Sequence, residues 1–77
     1  MSRKLSDDEA AFLQERIDAL EPGTFHLPDL YGDAWEGFPI GEKVDRGRAF
    51  LEAVRQDRFP EVEDLGKRSG GRVYGKG

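Results

Sequence analysis

The 77-residue chain reads as one α+β domain, in which three helices are closed by a C-terminal β-hairpin in the order of a winged helix-turn-helix. Three observations predict this. Between Pro39 and Phe59, apolar residues recur at spacings of three and four, one face of a helix. At Ser6-Asp7-Asp8-Glu9 the pattern of a capping box opens an earlier helix. Beyond Phe59-Pro60, two β-prone runs flank the turn signal Ser69-Gly70-Gly71.

The first helix is predicted from Asp7 to Leu20. Ser6 is its cap, Asp7, Asp8 and Glu9 complement the dipole, and Glu21-Pro22-Gly23 is its stop. Ala10, Leu13, Ile17 and Leu20 mark its inner face, widened by Phe12. Thr24-Phe25-His26-Leu27 has room for one short strand. Pro28 holds Leu27 extended and suits a helical first turn, so a brief second helix carries Leu27, Leu30 and Tyr31 inward. Gly32 ends it, and Asp33 to Pro39 form a compact turn.

The third helix presents Val44, Gly47, Phe50, Leu51 and Val54 to the core. Gly47 costs about 1 kcal/mol there against Ala, and Trp35 and Phe38 have the bulk to fill the space it leaves. Strands Val62 to Lys67 and Gly71 to Lys76 complete the domain, which spans residues 1–77 with 1–5 and 75–77 frayed. The expected core is Leu13, Ile17, Leu20, Phe25, Leu30, Trp35, Val44, Phe50, Leu51, Val54, Val62 and Val73. A chain this short buries only about 60% of its unfolded surface, leaving little room for a concave ligand pocket.

Charge is divided along the chain. Asp7 to Glu36 holds nine acidic residues against Arg16 alone, a balance of −8, whereas Gly37 to Gly77 balances at +2. From Leu65 onward Lys67, Arg68, Arg72 and Lys76 stand without an acid. One side of the fold is therefore expected to be acidic and the other mildly basic. The chain contains no cysteine, which fits a cytoplasmic setting, and no apolar run approaches the roughly 20 residues that span a bilayer.

Phe25-His26-Leu27-Pro28-Asp29-Leu30-Tyr31-Gly32, Trp35-Glu36, Pro39-Ile40-Gly41-Glu42 and Arg46-Gly47-Arg48-Ala49-Phe50, taken together, resemble the small bacterial and phage proteins of domain of unknown function 1413. The similar region runs from about Pro22 to Tyr74. The resemblance implies a small winged helix and supplies no catalytic or ligand residues. His26 stands where a Thr or Ser cap is expected.

No nucleophile–base pair, metal-ligand cluster or cofactor loop is legible. The lone His26 reads as a capping or packing residue, and the Gly-rich end lacks the helix that a phosphate loop must open. The expectation is a non-enzymatic binding domain without cofactor or metal. DNA is the favoured partner, with the third helix in a groove and the hairpin on the backbone through Arg46, Arg48, Lys67, Arg68 and Arg72. The net charge of −4 opposes that reading. Its alternative is a protein-interaction adaptor or inhibitor that displays Trp35 or Phe59 on an exposed apolar patch.

Overall fold

A computed structural model describes residues 5–68 and 71–77. The elements follow in the order α1 (Asp7–Ala19), β1 (Gly23–Phe25), α2 (Leu27–Tyr31), a 3-10 turn (Gly32–Gly37), α3 (Ile40–Arg55), β2 (Val62–Arg68) and β3 (Gly71–Lys76). The expected α+β class, with three helices and a C-terminal antiparallel strand pair, is what the chain forms. The predicted turn at Ser69-Gly70 and the fraying of residues 1–4 lie outside the described residues.

The first two helices begin at side-chain to backbone contacts. Ser6 Oγ accepts the Glu9 N–H at 3.1 Å, as its cap position requires. The α2 cap is built differently. Asp29 reaches back to accept the His26 backbone N–H at 2.9 Å, while the His26 ring turns away to β3. Pro28 fills the first turn of α2, where a missing N–H is harmless.

The sheet has the strand order β1-β3-β2, antiparallel throughout. Phe25 faces Tyr74 across β1 and β3, and Tyr74 faces Asp64 across β3 and β2. Side chains alternate between faces, so placing Tyr74 inside turns Val73 to the other face. Val73 is accordingly only half-buried, against expectation.

The core gathers under α3. Phe50 is fully enclosed, its ring 5.2 Å from Phe59 and edge-on to Tyr74 at 4.8 Å. Leu13, Ile17, Phe25, Leu30, Val54 and Val62 are buried as expected, joined by Leu5, Leu27, Tyr31, Ala49 and Ala53. Leu20, Trp35 and Leu51 pack on the core's edge and stay half-buried. Val44 is 47% exposed, a departure from the expected core.

Leu5 and the residues from Gly75 to Lys76 are held more firmly than expected. Leu5 is buried rather than frayed. Gly75 and Lys76 pair with β1 and β2, and the Lys76 amine donates to the carbonyls of Ile17 at 2.7 Å and Asp18 at 3.3 Å, and also to Leu20. A cation on these orphan carbonyls offsets the negative end of the α1 dipole. Among the described residues, no helix is long and apolar enough to cross a membrane.

Candidate binding groove

The buried residues of α3 are Ala49, Phe50, Ala53 and Val54. That stripe is turned roughly a third of the way round the axis from the one built on Val44, Gly47 and Leu51. The rotation leaves Val44 exposed and Gly47 and Leu51 only half-buried on the flank of α3. β3 and α2 rise beside this flank, and a groove of about 610 Å³ lies between them. The expectation that no concave site fits so small a domain is thus corrected.

The groove is lined by apolar and cationic side chains. Leu27, Pro28, Trp35, Val44, Gly47, Leu51 and Tyr74 line it together with Lys43, Arg48, Lys67 and Arg72. No carboxylate lines it, although the chain carries 16 acidic residues. Ile40, one helical turn before Val44 and 80% exposed, extends the apolar strip toward the start of α3. Nothing lies within 4 Å of a Cβ built on Gly47, so the expected plug of Trp35 and Phe38 is absent. Trp35 packs instead on Tyr31, at 5.5 Å between centroids, and on Phe38 at 5.9 Å.

His26 closes one end. Its Nδ1 lies 3.0 Å from the Arg72 carbonyl oxygen, which can only accept, so Nδ1 carries the proton. This contact ties the start of α2 to the strand bearing Arg72. Arg72 is also tied sideways, its Nη1 donating to both Asp64 oxygens at 3.0 and 3.1 Å. The Gly66 N–H, 2.9 Å from Asp64 Oδ1, and then the Arg72 guanidinium hold the Asp64 carboxyl below its ordinary value, against the opposing effect of burial. Gly66 adopts φ +91°, the left-handed geometry of the irregularity between Asp64 and Lys67. Burial, followed by the charge of Asp64, pushes the Tyr74 hydroxyl up to about 12.

The five expected nucleic-acid contacts are not brought together. Arg48, Lys67 and Arg72 meet at the groove, and Arg68 is exposed at the end of β2. Arg46 lies on the opposite side of α3, because a step of two residues turns about 200°. There it is paired with Glu9 and Glu42, its guanidinium 4.2 Å from the Phe38 ring centroid and 5.5 Å from that of Tyr31. It is a structural rivet between α1 and α3, which corrects its expected role. Of the alternative pair, Trp35 lines the groove, whereas Phe59 is 2% exposed and belongs to the core.

Sequence reasoning missed Lys43, Val44 and Leu51 as groove residues. The signal was Ala49 and Ala53, whose small side chains were passed over in locating the inner face. A second depression of similar volume lies over Gly75 and Leu65 on the other sheet face, but Glu61 and Glu63 line it and its Lys76 is already engaged by α1. It lacks the uniform charge of the first.

No curated relative and no solved structure matches the chain. A family model matches residues 11–76, reaching further at both ends than the similarity read from the motifs. The chain therefore belongs to the family described as Domain of unknown function (DUF1413).

Proposed function

We propose that this is a non-enzymatic protein-interaction domain that holds an acidic segment of a partner in the groove between α3 and the hairpin. Its platform is the layout of a winged helix-turn-helix, with the order helix, strand, helix, helix, hairpin and the sheet β1-β3-β2. The observation that carries the reading is the groove's lining, apolar side chains with Lys43, Arg48 and Lys67, the Asp64-paired Arg72, and no carboxylate. Apolar lining rewards side-chain burial, and the cations select the sign of what surrounds the buried group.

DNA association is the second reading, favoured by Arg48 and Lys67 on the groove and by the exposed Arg68 at the end of β2, none of them in an ion pair among the described residues. Against it stands the withdrawal of Arg46, whereas the exposed Asp45 and Glu52 along α3 and the net charge of −4 weigh on DNA and on an acidic peptide alike.

Titration against the chain's single tryptophan separates the two. The acetylated peptide Asp-Glu-Asp-Leu-Glu-Asp-Glu is expected to change Trp35 emission, more weakly as salt rises, and to lose affinity in the Arg48→Glu/Lys67→Glu double variant. Binding of duplex DNA that exceeds peptide binding and weakens with Arg68→Ala gives the case to the second reading. No binding of either, at low salt, removes both.

A further inference from the structure

We infer that Gly47 is the receptor for a bulky aliphatic side chain of the bound acidic segment, and so sets which segments the groove accepts. The inference rests on the peptide-binding reading above. Glycine inside a helix is normally explained by a crowded neighbour or a left-handed backbone. Neither applies here. Gly47 lies in the middle of α3, is not among the positive-φ residues, and has nothing within 4 Å of a built Cβ.

What its missing side chain does create is depth. Val44 and Leu51 lie at i−3 and i+4 on the same flank, and Trp35 stands across the groove, so the gap over Gly47 has apolar walls. Arg48 and Lys43 flank that gap along the helix. An aliphatic group entering it is surrounded by walls that bury it, while carboxylates on either side of it meet cations. A ligand with the charge but not the anchor gains only the screened electrostatic part.

The test compares the Leu-centred peptide above with the same peptide carrying Ala at its centre, both read by Trp35 emission. Wild type is expected to bind the Leu peptide about tenfold or more tighter, the worth of burying one aliphatic side chain. Gly47→Ala is expected to cut that ratio and Gly47→Leu to bring it near one. Val44→Gln, at an exposed position, lowers it without touching the core. An unchanged ratio in all three variants, or equal binding of both peptides by wild type, overturns the anchor site and leaves the groove reading standing. Failure of wild type to bind either peptide overturns the groove reading and the anchor with it.

Discussion

The two long sides of α3 do opposite work, though residues one or two positions apart supply them. On one side Phe50, Ala49, Ala53 and Val54 are enclosed, and at its upper edge Arg46 joins Glu9 of α1 to Glu42 across the rings of Tyr31 and Phe38. On the other, Ile40 and Val44 are exposed and the space over Gly47 is open. Packing alone explains the first side. It does not explain an apolar strip left uncovered in a domain with so little core to spare, and the proposed binding would.

The largest expected contrast comes from truncating neighbours. Phe50→Ala should cost about 3–5 kcal/mol, enough to unfold much of the population, because it empties the space between Phe59 and Tyr74. Leu51→Ala, one residue on but half-buried, should cost far less. Urea midpoints of the two variants give the comparison, and equal losses would break it.

Tyr74 belongs to both sides, stacked in the core and lining the groove, and its titration shows which environment dominates. Its folded value is raised from 10.0 to about 12. A raised value means the stabilising contribution is complete below pH 10 and is lost as pH climbs toward 12. Two units correspond to about 2–3 kcal/mol. Urea unfolding at pH 9 and pH 12 should show this loss in wild type and a smaller one in Tyr74→Phe. An identical loss in both would place the hydroxyl in a watery setting.

The arginines sharpen the contrast on a smaller scale. Arg46→Ala removes the guanidinium that pairs with the largely enclosed Glu9 carboxylate, a cost of roughly 1–3 kcal/mol. Arg48→Ala should change stability by no more than about 0.5 kcal/mol. Thermal melts of both, at low and moderate salt, check the ordering.

Much of this fold was legible in the residues. Ser6 and Glu9 located α1, Pro28 and Gly32 bracketed α2, and the hairpin bounds fell within one residue because Pro60 and the glycines punctuate them. The site was less legible. Val44 and Leu51 look like core residues at helical spacing, and only the small Ala49 and Ala53 reveal that the inner face is turned away from them. Arg46 and Arg48 look equivalent in a charged run, yet about 200° of helix separates a rivet from a groove residue. Long-range register decided the remainder, since whether Val73 or Tyr74 points inward depends on pairing with Phe25, forty-nine residues before Tyr74 in the chain.

The smallest effect tests the central claim most directly, because it needs no ligand. If the groove side of α3 carries none of the fold, replacing Gly47 by Ala removes a helix-weakening residue and adds a methyl to open space. The expected gain is up to about 1 kcal/mol, a rise of several degrees in melting temperature for a domain of this size. A melting temperature that falls instead would mean that the chain itself fills the space over Gly47, and the open side of α3 would not be there to bind anything.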